Sequence, residues 1–169
     1  TLARLKPVVK KSRIGKQETF TAEQWSNGEA EIISRIQNQF GDSKLVVRSS
    51  SKLEDNWHSS NAGGFASILN VACMNKLELA SAIQTVVDSY GHSVVQGDQV
   101  LIQKFLQDVA MAGVVFTCTL ESGAPYYRFN FDDSTKSTES VTAGIHGDLR
   151  TVLVSKLQPN AVSKVTPEL

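Results

Sequence analysis

The stretch Lys44-Leu45-Val46-Val47-Arg48-Ser49-Ser50-Ser51 decides how this chain is read. An apolar, β-branched run with an arginine at its end predicts a buried strand, Lys44 to Arg48, that empties into three serines. From Ser49 to Gly64 the sequence turns polar, with Glu54 and Asp55 in its middle and Ala62-Gly63-Gly64 at its close. That is too long for a simple turn, and loops of this length in compact domains are usually functional or mobile.

Outward from this loop the pattern alternates between helix and strand. Upstream, Thr21 followed by Gln24 forms a capping-box start. Trp25, Ile32, Ile33, Ile36 and Phe40 then recur at helical spacing until Gly41. Thr1 to Thr19 is basic and weakly periodic, which reads as a solvated lead-in segment. Downstream, Phe65 to Val71 resumes as a strand, and Asn75 with Glu78 starts a second helix whose apolar face is Leu79, Ile83, Val86 and Tyr90.

Beyond Gly97 the character is mostly β. Gln99 to Phe105 alternates, Ala112 to Leu120 is a β-branched run containing Gly113, and Glu121-Ser122-Gly123 turns into Pro125 to Phe131. Val100–Leu106, Ala112–Leu120 and Tyr126–Phe131 are expected to be neighbouring antiparallel strands. Arg150 to Val154 is a last short strand, while Gln158 to Leu169 reads as a linker. Two helices and about six strands that do not strictly alternate predict an α+β fold with a mixed or antiparallel sheet. The expected division is a lead-in at 1–19, one domain at 20–157 and a linker at 158–169.

Composition sets the limits around this pattern. The 169 residues carry 17 Lys+Arg against 17 Asp+Glu, with 41% hydrophobic and 20% charged residues. This is globular composition at a length suited to one domain or two small lobes. Balanced charge argues against nucleic acid as partner. No apolar run approaches the ~20 residues of a membrane span, and no signal peptide opens the chain. Cys73 and Cys118 lie in apolar, strand-like contexts without a CxxC partner, so two buried thiols in a reducing, cytoplasmic setting are expected. The chain starts at Thr1 without an initiator Met, and the expectation is a piece of something longer.

Chemistry is sparse. His58, His92 and His146 have no His or Cys at metal-ligand spacing, so no metal residue is assigned. No nucleophile elbow, Walker sequence or dinucleotide fingerprint is present. Asp132-Asp133 could help hold a metal but reads first as a solvated acidic turn. The informative pair is Arg48-Ser49-Ser50-Ser51 with Ala62-Gly63-Gly64-Phe65. A strand-end arginine offers a forked donor suited to phosphate oxygens. A glycine pair lets backbone amides approach a polyphosphate closely. From the residues alone the same features also read as an ion-paired arginine and a plain turn.

Val46–Val71 resembles the segment of the phosphoenolpyruvate synthase and pyruvate phosphate dikinase family in which a strand ends in Arg-Ser-Ser. There an acidic Glu-Asp, a glycine loop and a strand ending in Leu-Asn-Val follow. This chain has Arg48-Ser49-Ser50, Glu54-Asp55, Ala62-Gly63 and Leu69-Asn70-Val71 in that order. A second block, Val100-Leu101-Ile102-Gln103-Lys104-Phe105-Leu106 followed by Ala112-Gly113-Val114-Val115-Phe116-Thr117, is similar to the family's Val-Gln-Lys and Gly-Val-x-Phe-Thr strands.

The resemblance implies part of an ATP-grasp nucleotide-binding domain. In that family ATP and Mg²⁺ are used to phosphorylate a histidine on a separate domain, and phosphate then passes to pyruvate on a third. It implies Arg48 as the phosphate-contacting and catalytic arginine, beside Ser49, with Gly63 and Gly64 on the loop over the phosphates. Gln103, Phe105 and Leu106 would lie at the adenine hinge and Thr117 on the next strand. The partners implied are ATP and the phosphohistidine and acceptor-binding domains of a parent chain.

The family's early Gly-Gly-Lys element, its late acidic metal motif and its Thr-Ser-His sequence have no counterpart here, and Phe131-Asp132-Asp133 with Val141-Thr142-Ala143-Gly144 stands where the synthases carry Gly-Leu-Gly-Glu. The isolated chain is therefore expected to be catalytically inactive. Two alternatives follow: a degenerate, non-catalytic ATP-grasp binding module, or a dikinase-like enzyme with an acceptor other than pyruvate. An unrelated α+β binding module is a third reading.

Overall fold

The computed structural model describes residues 5–51, 55–56, 59–60, 65–91, 97–135 and 149–158. Gly63, Gly64, Glu54 and the three histidines lie outside the described residues. The chain divides into two compact units, Thr1–Phe105 and Leu106–Leu169.

The first unit is built as β1 (Gln17–Thr21), α1 (Ala22–Phe40), β2 (Lys44–Ser50), a small hairpin of β3 (Asp55–Asn56) and β4 (Ser59–Ser60), β5 (Ser67–Ala72), α2 (Lys76–Ser89) and β6 (Gln99–Lys104). Four of these strands form one sheet in the order β1-β6-β2-β5, every neighbouring pair antiparallel. Residues 17–19, expected in the lead-in, are therefore part of an edge strand. Phe20 explains why: at 1% exposure it fills the core opposite Val100, and strand pairing brings the preceding polar residues with it.

Helix α1 starts as its sequence dictates. The Thr21 hydroxyl accepts from Gln24 N–H at 3.1 Å while Gln24 Oε1 accepts from Thr21 N–H at 2.9 Å, satisfying two otherwise orphaned donors. The helix kinks at Gly28 and ends at Gly41, whose φ of +57° suits a residue without a Cβ. Asn75 caps α2 by accepting from Glu78 N–H at 3.2 Å.

Both helices pack on the same face of the sheet. Their apolar stripes, Trp25, Ile32, Ile33 and Ile36 on α1 and Leu79, Ile83 and Val86 on α2, meet Leu45, Val47, Val71 and Ile102 in one buried cluster. Each fully buried side chain of this kind contributes roughly 1.5–3 kcal/mol of transfer free energy.

The second unit contains β7 (Ala112–Phe116), β8 (Tyr126–Asp132) and β9 (Arg150–Ser155), an antiparallel meander in that order. Two expectations are corrected here. The Gln99–Lys104 strand does not pair with Ala112–Phe116; it lies between β1 and β2, because Val100 and Ile102 complete the helix-facing core. The run Ala112–Leu120 is strand only to Phe116. Past it, Thr119 organises a turn, its carbonyl accepting from Gly123 N–H at 3.0 Å and its hydroxyl from Ala124 N–H at 2.9 Å.

Cys73 is buried as expected, but Cys118 is only half-buried, in the bend after β7. The fold is thus α+β, with two helices and nine strands among the described residues. No described helix is long and apolar enough to cross a membrane.

Candidate functional site

Alternation along β2 sorts its side chains between two faces. Leu45 and Val47 are fully buried against the helices, so Arg48 stands on the face opposite the helices, where it is exposed. Its Cα partners are Leu101 on β6 and Ser67 on β5. Among the described residues no hydrogen bond or ion pair engages the Arg48 guanidinium. A cation on a central strand of a paired sheet, with no carboxylate paired to it among the described residues, can offer its donor fork to an anion.

Gln103 shares this face. It lies opposite Val46 on β2 and opposite Gln17 on β1, diagonal to Arg48 across the β2–β6 ladder. Such diagonal neighbours are about 7–8 Å apart, within the span of one small ligand. Gln17 adds an acceptor: its side-chain Oε1 is buried without a hydrogen-bond partner among the described residues. Nothing in the basic N-terminal segment signalled Gln17, since it is the strand register that places it beside Gln103.

The remaining expected residues fall elsewhere. Ser49 is on the helix side of β2, opposite Val100, and its backbone N–H donates to Ala66 O at 3.3 Å. It does not share a face with Arg48. Phe105 follows β6, tied by its N–H to Lys44 O at 2.8 Å. Leu106 is exposed and opens the second unit, which also holds Thr117, exposed in the bend after β7. The sheet therefore brings Arg48 and Gln103 together, and it separates Ser49 from them.

Beyond Arg48 the strand end is held by polar groups that sequence reasoning left unassigned. The Tyr90 hydroxyl accepts from Ser50 N–H at 3.2 Å and donates to Gln99 O at 2.5 Å. The Ser51 hydroxyl donates to Asp98 Oδ1 at 2.9 Å, with Asp98 only 2% exposed. The helical spacing places Tyr90 on an apolar helix face, and the structure buries its ring there, edge-on to Phe65 at 5.3 Å. Its hydroxyl, however, is aimed at the sheet. A Tyr at a helix end, followed by Asp just ahead of a strand, was the available signal.

Asp132 is corrected from a solvated turn to a buried one at 3% exposure. Its carboxylate accepts from Ser134 N–H and Oγ, both at 2.8 Å, from Thr135 N–H at 3.0 Å, and from the Thr135 hydroxyl. Asp133 is paired with Arg150 at 2.5 Å. Both carboxylates are thus engaged in shaping the end of β8. Among the described residues no group of three or more His, Cys, Asp or Glu could hold a metal ion. Two shallow depressions run along α1, and neither is lined by Arg48 or Gln103. Comparison of the chain with protein-family models and with curated proteins gives no match.

Proposed function

We propose that this chain is the ATP-binding part of a phosphotransferase of the phosphoenolpyruvate synthase and pyruvate phosphate dikinase type. The parent enzyme would move a phosphoryl group from ATP to a histidine on another domain, and from there to pyruvate or a related acceptor. The observation that carries this reading is Arg48: a guanidinium with no ion-pair partner among the described residues, on a strand paired on both sides, in the Arg-Ser-Ser sequence that the resemblance marks.

Phosphoryl transfer asks a protein for positioning and charge stabilisation more than for covalent chemistry. Arg48 would neutralise phosphate oxygens through a bidentate pair, and the polar Gln103 beside it would meet the nucleotide. The ATP-grasp fold and a cytoplasmic setting belong to this same proposal. Magnesium would arrive with ATP, but Asp132 and Asp133 do not fit as its ligands, because hydrogen bonds and an ion pair already use their carboxylates.

That engagement favours a second reading, a degenerate ATP-grasp module that binds nucleotide without turnover. Calorimetric titration of the chain with Mg-ATP, beside its Arg48→Ala variant, tests the common element. Micromolar binding that the variant loses supports a nucleotide site at Arg48; equal binding by both removes Arg48 from it. Phosphohistidine formation in the full-length parent then separates enzyme from binding module.

A further inference from the structure

We infer that Tyr90 and Asp98 are positioning residues for the anion-reading arginine, an inference that rests on the nucleotide reading of Arg48. The ladder between β2 and β6 gives the geometry. Phe105 N–H donates to Lys44 O at 2.8 Å, which marks that pair as a hydrogen-bonded one. Antiparallel pairs alternate, so Val46–Gln103, Arg48–Leu101 and Ser50–Gln99 are hydrogen-bonding positions as well. The Arg48 backbone is therefore gripped by β6.

At the next such position, Ser50–Gln99, the Tyr90 phenol enters between the strands, taking the N–H of one and giving its own proton to the carbonyl of the other. One residue further, Ser51 is held by buried Asp98. Ala66 N–H donates to the Ser89 hydroxyl at 3.1 Å, so the end of α2 is fastened to the approach to β5 also.

The effect is a rigid anchor two residues past Arg48, at the C-terminal end of β2. Without it the last turns of the ladder would fray, as strand ends do, and the arginine would sample many directions. A bidentate contact demands a fixed direction, so fraying would weaken phosphate recognition more than contacts to the rest of the nucleotide. Tyr90 and Asp98 touch no ligand in this scheme and act through Arg48.

The test is titration of the full chain with Mg-ATP and, separately, with adenosine, for wild type, Arg48→Ala, Tyr90→Phe, Asp98→Asn and Asp98→Ala. Tyr90→Phe keeps the ring and its packing on Phe65, while Asp98→Asn keeps an acceptor for Ser51. The expected result is that Tyr90→Phe and Asp98→Ala each lose about three- to tenfold in ATP affinity, the value of one hydrogen bond. Adenosine binding stays unchanged and Asp98→Asn recovers most of the loss. Equal weakening of ATP and adenosine would reduce the pair to a structural role and overturn the inference. Unchanged ATP affinity in Tyr90→Phe beside a loss in Arg48→Ala would overturn the inference and leave the nucleotide reading standing. A wild-type chain indifferent to ATP would overturn both.

Discussion

Gly113 of β7 lies directly across from Phe131 of β8, so close that a Cβ on Gly113 would fall 2.7 Å from Phe131 Cβ and 2.7 Å from Asn130 O. Gly113 is exposed, so neither burial nor an unusual backbone angle requires a glycine there; the close approach of the partner strand does. Because the obstacles include backbone, the strands themselves must shift to admit a methyl group.

Gly113→Ala is expected to destabilise the second unit by about 1–3 kcal/mol, the usual cost of overpacking. The better strand propensity of alanine, roughly 0.5–1 kcal/mol, offsets only part of this. Urea unfolding followed by far-UV circular dichroism measures it, with Gly15→Ala as control, since nothing lies within 4 Å of that position. Equal midpoints for the two variants would disprove the close approach.

In the first unit, Ile36 is fully buried between helix and sheet, whereas Leu77 on the outer side of α2 is 83% exposed. Ile36→Ala should cost about 2–5 kcal/mol through lost transfer energy and an unfilled cavity. Leu77→Ala should stay within about 0.5 kcal/mol. Thermal melts of both variants decide whether α1 and α2 present the faces assigned to them; comparable losses would put Leu77 in a contact that the structure does not show.

These helix faces were legible because capping chemistry and 3.6-residue spacing are local. Thr21, Gln24, Asn75 and Glu78 do their work within one turn, and Trp25, Ile32, Ile33 and Ile36 all proved buried. Strand partnership is not local. Nothing in Val100 to Lys104 says that its neighbours are residues 17–21 and 44–50 rather than the next strand along, because an alternating pattern fits any partner of matching register. The same limit hid half of the candidate site. Arg48 was readable as a strand-end donor, but the placement of Gln17 opposite Gln103, and of the Tyr90 hydroxyl between Ser50 and Gln99, depends on sheet order. Ser49, which the resemblance implies beside Arg48, lies on the other face of β2, because neighbours along a strand point to opposite sides.

Cys73 gives a pH prediction. Burial pushes its thiol pKa above the ordinary value, and nearby Asp42 adds to the shift. The folded state therefore holds this proton more tightly than the unfolded chain does. The corresponding stability is fully present below the unfolded thiol's pKa, about 8.5, and is lost as pH rises through the higher folded value. Stability should fall on the alkaline side of pH ~8.5, and Cys73→Ala should flatten that part of the profile. A thiol reagent at neutral pH should label half-buried Cys118 first and reach Cys73, 1% exposed, only on unfolding. Rapid double labelling of the native chain would contradict the burial of Cys73.

Arg48→Lys separates charge from geometry at the candidate site. If Arg48 reads phosphate by its forked guanidinium, a lysine restores the positive charge but neither the paired donors nor their fixed plane. Nucleotide binding should then recover only partly, remaining about tenfold weaker than wild type, a difference of about 1.4 kcal/mol. Because Arg48 is exposed, its Coulombic share should be screened by salt in wild type and Arg48→Lys alike. Titrations with Mg-ATP at low and at physiological ionic strength supply both comparisons. Full rescue by lysine at both salt concentrations would show that charge alone suffices, and the bidentate contact assigned to Arg48 would have to be withdrawn.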